Sequence, residues 1–301
     1  MNDCAIPQLG NYRILQPLGR GGFACVYLAE HIYLKSLAAI KVLQIELGGD
    51  QYEPFLHEAR TLAQLIHPHI IRILEFGVEG NTPYLVMDYA PNGSLRQYHT
   101  KGTQLPLETV ISYVRQVASA LEYAHSQHFI HRDVKPGNML LGKDNEVLLS
   151  DFGLALVAHS SASQPTEENV TGTVAYMAPE QIYGKPRPAS DQYALAAVVY
   201  EWLCGELPFH GSFAEIVGGH LAAPPPPLSE HCTSIPTAVE EVIGIALAKD
   251  PEQRFASIEA FAHALEQAAQ PVERVEKPQP VLLHPQSLPI VSAPEPPPQE
   301  G

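Results

Sequence analysis

The sequence predicts an α+β chain of two lobes, a small β-rich lobe followed by a larger helical one, with a cleft between them. Apolar runs alternate with turns through residues 11–43. From residue 107 onward, apolar residues recur mainly at helical spacing. With 45% apolar and 17% charged residues in 301, there is enough to bury a large core. The expected division is an N-terminal extension at 1–11, a domain at 12–268 and a proline-rich tail at 269–301. The lobes of the domain are expected at about 12–87 and about 91–268.

Tyr12 to Leu18 and Val26 to Ala29 read as strands around the turn L-G-R-G-G-F-A-C-V-Y. Gly19, Gly21 and Gly22 allow close backbone approach to phosphate oxygens, although an ordinary hairpin loop reads the same way. The strand A-A-I-K-V-L carries Lys41 among apolar neighbours, so its charge needs a partner. Phe55, Ala59, Leu62 and Ile66 then recur at helical spacing, with Glu58 on the same helix. His67 and His69 read as turn and strand-start residues rather than metal ligands. Tyr84 to Ala90 forms a strand that runs into Pro-Asn-Gly, a hinge between lobes.

Residues 107–125 form an amphipathic helix, with Val110, Val114, Val117 and Leu121 on one face. Two short strands follow, Met139-Leu-Leu and Val147-Leu-Leu, joined by a polar turn. Ser190 and Asp191 read as the start of a helix that buries Leu195, Val198, Val199 and Trp202 and ends at Gly205. Val239, Val242, Ile243 and Leu247 mark another. Ile258, Phe261 and Leu265 mark the last, N-capped by Ser257. Nine prolines and no periodicity in residues 271–301 predict an extended tether, with docking on a Pro-reading domain as the alternative.

The chain's chemistry concentrates in Ile130 to Gly153, I-H-R-D-V-K-P-G-N-M-L-L followed by G-K-D-N-E-V-L-L-S-D-F-G. The hairpin brings Asp133 and Asp151 to one end, with Lys135 and Asn138 between them in sequence. Carboxylates and an amide oxygen suit a hard divalent cation such as Mg2+. An Asp not needed by the metal can take a proton from a hydroxyl nucleophile.

These motifs together resemble the protein kinases, and among them the bacterial eukaryotic-like serine/threonine protein kinases. The resemblance covers roughly residues 12–268 and implies a bilobal kinase-like fold. It implies ATP and Mg2+, with Mn2+ as a substitute, and Ser/Thr hydroxyls of proteins as acceptors. Asp133 would be the base, Lys135 would steady the γ-phosphoryl group, and Asn138 and Asp151 would hold the metal. Lys41 would hold the α- and β-phosphates and pair with Glu58. Leu18, Gly19, Gly21, Gly22, Val26, Ala39 and Leu140 would enclose the nucleotide. Met87 would stand behind the adenine, and the backbone of Asp88 and Ala90 would bond its edge. The family's third loop glycine is Ala24 here, which stiffens the loop.

Lys135-Pro136 and Thr173 match the serine/threonine class, and Ala178-Pro-Glu180 separates the chain from small-molecule phosphotransferases. The resemblance pairs Glu180 with Arg254 and makes Asp191 a brace for the catalytic loop. Arg132 implies control by a phosphate on the activation loop, expected by autophosphorylation at Thr166 or Thr171. The resemblance also allows self-association for trans-autophosphorylation.

The net charge of −15 argues against a nucleic-acid surface. Four scattered cysteines without a CxxC pair fit a reducing compartment, so a cytoplasmic location is expected. No signal peptide is expected, and no apolar run in the sequence is long enough to span a bilayer. A nucleotide-binding module without turnover, a small-molecule kinase and an interaction protein acting through its tail are the rival readings.

Overall fold

The computed structural model describes residues 8–21, 24–44, 49–152, 174–232 and 235–270. The first lobe is a sheet in which every pairing is antiparallel, ordered β1-β2-β3-β4-β6-β5. Its strands are β1 (Gln8–Leu9), β2 (Tyr12–Arg20), β3 (Ala24–His31), β4 (Leu37–Leu43), β5 (Ile73–Glu79) and β6 (Thr82–Asp88). The sheet therefore begins at Gln8, ahead of the boundary expected at 12, and Leu9 is buried in it. A two-residue strand has no periodicity that a sequence reading could detect. Pro17 in β2 lacks an N–H, and the β2–β3 register shifts between Pro17 and Gly19, which bends the strand toward its turn.

Helix α1 (Gly49–Leu62) crosses from β4 to β5 and stops one turn before the apolar spacing suggests. Ile66 consequently lies beyond its end, 67% exposed, and Leu65 takes the buried place. The tightening bonds Gln64 N–H to Thr61 O and Leu65 N–H to Leu62 O end the helix. Pro68 follows, and the residue before a proline resists the helical conformation.

The second lobe holds α2 (Leu95–Tyr98), α3 (Leu107–Ser126), the hairpin β7 (Met139–Leu141) and β8 (Val147–Leu149), then α4 (Pro179–Ile182) and α5 (Pro188–Cys204). It continues with α6 (Phe213–Ala222), α7 (Leu228–His231), α8 (Thr237–Ala246) and α9 (Ile258–Ala269). The predicted face of α3 is buried, and it packs on α5, β8 and α9. Every residue of α5 from Ser190 to Cys204 is buried, so this helix is the axis of the lobe. It starts at Pro188, two residues ahead of the expected start at Ser190. Proline at the first helical position loses no hydrogen bond. Ser190 instead accepts the Arg187 N–H from inside the helix (2.9 Å). Gly205 closes α5 in the left-handed conformation (φ 81°), and the Ser257 side chain caps α9 by accepting the Ala260 N–H.

No helix among the described residues is long and apolar enough to cross a membrane.

Candidate active site

The loop before the β7–β8 hairpin hangs from the N-terminal turn of α5. Asp191 Oδ1 accepts the Arg132 N–H at 2.8 Å, and Oδ2 accepts the His131 N–H at 2.8 Å. His125 Nε2 stands 2.8 Å from the same Oδ2. A carboxylate is favoured there, because the first turn of a helix presents positive dipole ends. Asp191 is thus a brace, as the resemblance implies.

His131 carries this frame across to the second acid. Its Nε2 lies 2.8 Å from the Ser150 carbonyl, so that nitrogen bears the hydrogen. Its Nδ1 accepts the Asp133 N–H at 3.2 Å. One buried ring therefore fixes the backbone at Asp133 and the residue before Asp151. Asn138 adds a second tie, since its Nδ2 donates to Asp133 O (2.8 Å) and Oδ2 (2.9 Å), and its own carbonyl accepts the Ser150 N–H (2.8 Å). Lys135 Nζ lies 2.8 Å from Asp133 Oδ2.

Asp151 faces the sheet. Its Oδ1 pairs with Lys41 Nζ at 2.8 Å. Burial would push this carboxyl up, but the charge and hydrogen bond of Lys41, with the charge of Lys135, outweigh it and hold the group below the usual carboxylate range. Lys41 therefore takes its described partner from across the cleft. Glu58, the expected partner, sits in α1 with its side chain outside the described residues. Asp151 and Arg132 both hold left-handed backbone, φ 68° and 69°.

The apolar residues expected around a nucleotide come together. Ala39, Met87 and Ala90 cluster with Leu18, Val26 and Leu140, and the β4–β6 register sets Ala39 opposite Met87. The Asp88 N–H is bonded to Arg72 O (3.0 Å), so any purine contact at Asp88 is made by its carbonyl. Gly19 pairs opposite Val26, and the Gly21 N–H closes the turn on Ala24 O at 2.8 Å. The methyl of Ala24 packs with Leu43, Phe76 and Val78. Gly22, Gly153, Thr166, Thr171 and Thr173 lie outside the described residues.

Glu180 meets Arg254 in two hydrogen bonds, 2.8 and 2.9 Å. Next to Glu180, Gln181 Nε2 donates to Arg132 O (2.6 Å), which joins α4 to the catalytic loop. Two features escape a sequence reading. Tyr176 OH donates to Glu201 Oε2 (2.6 Å) and accepts from Arg96 (2.6 Å), and His220 is buried against Ala175. Neither has a spacing signal, because the partners come from separate elements.

A protein-family model described as "Protein kinase domain" matches residues 12–265. Serine/threonine-protein kinase Pkn1 of Myxococcus xanthus is 38% identical over 268 residues, covering 86% of this chain and 38% of that protein. Serine/threonine-protein kinase PrkC of Bacillus subtilis is 37% identical over 254 residues, 83% of this chain and 39% of that protein. Serine/threonine-protein kinase PknA of Mycobacterium tuberculosis is 37% identical over 265 residues, 85% of this chain and 61% of that protein. The chain thus spans about two-fifths of the length of Pkn1 and PrkC. With the family match over most of its length and the two-acid site in place, the chain belongs to the protein kinase family.

Proposed function

We propose that this domain transfers the γ-phosphoryl group of ATP to Ser or Thr hydroxyls of proteins. The observation that carries this reading is the pair of aspartates, Asp133 and Asp151, tied together by His131 and Asn138 and each matched to a lysine. Asp133 orients the acceptor hydroxyl and takes its proton as the oxygen attacks phosphorus. Lys135, beside Asp133, offsets the charge on the group in transit. Lys41 reaches from the sheet to the α- and β-phosphates.

Asn138 and Asp151 fit a divalent cation. The Asn138 amide spends its nitrogen on Asp133 and so turns its oxygen, a hard donor, away from that residue. Asp151 stays ionised and keeps its second oxygen beyond the Lys41 contact. Mg2+, or Mn2+ in its place, neutralises the phosphates when bound there. The purine lies in the cluster of Leu18, Val26, Ala39, Met87, Ala90 and Leu140.

Arg132 is the receiver of a regulatory phosphate on Thr166 or Thr171. In support, its Nε is buried and finds no acceptor among the described residues. Phosphorylation occurs in trans between self-associated copies, in the cytoplasm. Among the described residues, Cys25 and Cys204 form no disulfide, which suits that compartment. The net charge of −15 speaks for protein rather than nucleic-acid partners.

The test is incubation with labelled ATP and Mg2+, wild type beside Asp133→Asn, with mapping of the labelled residues. Label on Ser or Thr in the wild type alone is the expected result. ATP binding without label in either protein would defeat the proposal in favour of a nucleotide-binding module. Full activity after replacing both Thr166 and Thr171 by Ala would remove the regulatory part.

A further inference from the structure

The turn that follows the undescribed stretch is held by more than Glu180. Val174–Met177 closes on itself, with the Met177 N–H bonded to Val174 O (3.1 Å). The Tyr176 side chain anchors to Arg96 of α2 and Glu201 of α5. The Ala175 carbonyl points the other way, to His220 Nε2 at 3.1 Å. His220 belongs to α6 and is fully buried. Among the described residues, none of these anchors belongs to the apolar cluster around Ala39 and Met87.

The hydrogen bonds around His220 run in one direction. A carbonyl can only accept, so Nε2 carries the hydrogen. Nδ1 is then free to accept, and it lies 3.0 Å from Tyr193 OH. Tyr193 donates its single hydrogen there, so its oxygen accepts in turn from Lys249 Nζ at 3.3 Å. Lys249 also donates to the Gly219 carbonyl at 2.9 Å and stands over the Phe209 ring. The sequence Lys249, Tyr193, His220, Ala175 is therefore a polar relay whose hydrogen bonds run in one direction. Burial supports the same assignment, pushing the imidazole down to about 4. A charged ring would donate from both nitrogens and leave the tyrosine hydrogen without its acceptor.

Placement gives the relay a task. Gln181, just after the turn, is bonded to the backbone of Arg132, next to Asp133. That bond sets the turn beside the segment that carries Asp133, where residues flanking a presented hydroxyl would come. We propose that His220 is a positioning residue for the polypeptide acceptor. By holding the Ala175 carbonyl in one tautomer, it sets the turn on which the acceptor's flanking residues rest. It touches neither acceptor nor nucleotide. The inference rests on the kinase reading and extends it to how the acceptor is recognised.

The experiment uses the full chain and a Ser/Thr peptide that the wild type phosphorylates. Steady-state KM is measured for peptide and for ATP in wild type, His220→Leu, His220→Gln and Tyr193→Phe. Each variant is checked for a cooperative melt. Loss of one buried hydrogen bond predicts about a 10-fold rise in peptide KM for His220→Leu, with ATP KM within about 2-fold. Tyr193→Phe should move peptide KM the same way by less, since it leaves the Ala175 bond in place. Glutamine can donate to Ala175 and accept from Tyr193, so it should restore peptide KM to within about 2-fold.

Peptide KM unchanged in a folded His220→Leu protein would overturn the proposal, as would equal rises in peptide and ATP KM. If the leucine variant does not fold, the glutamine and Tyr193→Phe variants decide. Impairment in glutamine equal to or greater than that in phenylalanine would refute the relay. A wild type that phosphorylates no peptide would overturn the kinase reading itself and this inference with it. An active wild type beside an unaffected folded leucine variant overturns this inference alone.

Discussion

Removing the Glu180 carboxylate should destabilise the second lobe more than any surface change. Arg254 has a side chain with 0% exposure, and all five of its N–H groups are matched. Two go to Glu180, and the others to the carbonyls of Ala248, Ala189 and Lys249. Glu180→Ala leaves a buried guanidinium without its counter-charge, a change that costs roughly 3–5 kcal/mol. For a domain of this size, that lowers Tm by roughly 6–20 °C. Arg254→Met strands the three carbonyls as well as Glu180, so it should cost at least as much. The double variant strands only the carbonyls. It should therefore lie near the single Arg254 variant, so that the coupling equals the cost of Glu180→Ala alone, about 3–5 kcal/mol.

Urea unfolding of the four proteins measures this. Losses that simply add would refute the argument that the pair acts as a unit. The pH arm has a definite sign. Burial alone would raise the Glu180 carboxyl, but the bonds from Arg254 and Ser190 hold it below the usual range. The folded state thus releases this proton more readily than the unfolded chain. Its contribution is present at neutral pH and is lost as pH falls below about 4.3. The gap between wild type and Glu180→Ala should narrow over that acid range.

Three further outcomes are expected. His220 is pushed down to about 4 by burial, so its neutral form costs nothing above about pH 6.5. From there to pH 4 it destabilises the fold by up to ~3 kcal/mol, and His220→Gln should flatten the stability profile in that window. Asp191→Asn can accept only one of the two N–H groups of His131 and Arg132 well, so kcat should fall about 100-fold with ATP affinity within about 2-fold. Unaltered turnover would show that the brace is dispensable. Ala39→Leu places three more carbons against Met87 in the cluster proposed to hold the purine, which should raise the ATP Kd at least about 10-fold while costing about 1–3 kcal/mol of stability. Equal ATP binding by titration would place the purine elsewhere.

The two-lobed fold was legible because both periodicities are sustained. The α3 face of Val110, Val114, Val117 and Leu121 and the Ser257 cap stand where the spacing puts them. The aspartates, Asn138 and Lys135 were legible because they lie within one stretch of chain, so local geometry brings them together. Boundaries were less so. The α1 end depended on a tightening turn ahead of Pro68, and β1 was too short to show a pattern. The contact of Lys41 with Asp151 could not be read either. Asp151 lies more than a hundred residues away, and its carboxylate reaches the sheet through a left-handed backbone that its side chain does not dictate. The spacing marked no role for His220, and only the fold brings it to hydrogen-bond distance of Tyr193.

Arg132 has an evolutionary consequence. Its backbone at φ 69° costs a non-glycine residue about 1–2 kcal/mol. Its buried Nε, without an acceptor among the described residues, adds roughly another 1–3 kcal/mol. Glycine at this position would relieve both and keep the N–H that Asp191 holds. If Arg132 receives a phosphate, as proposed above, the strain at this position is the cost of that switch, and a lineage kept only as a scaffold would gain stability by losing the arginine.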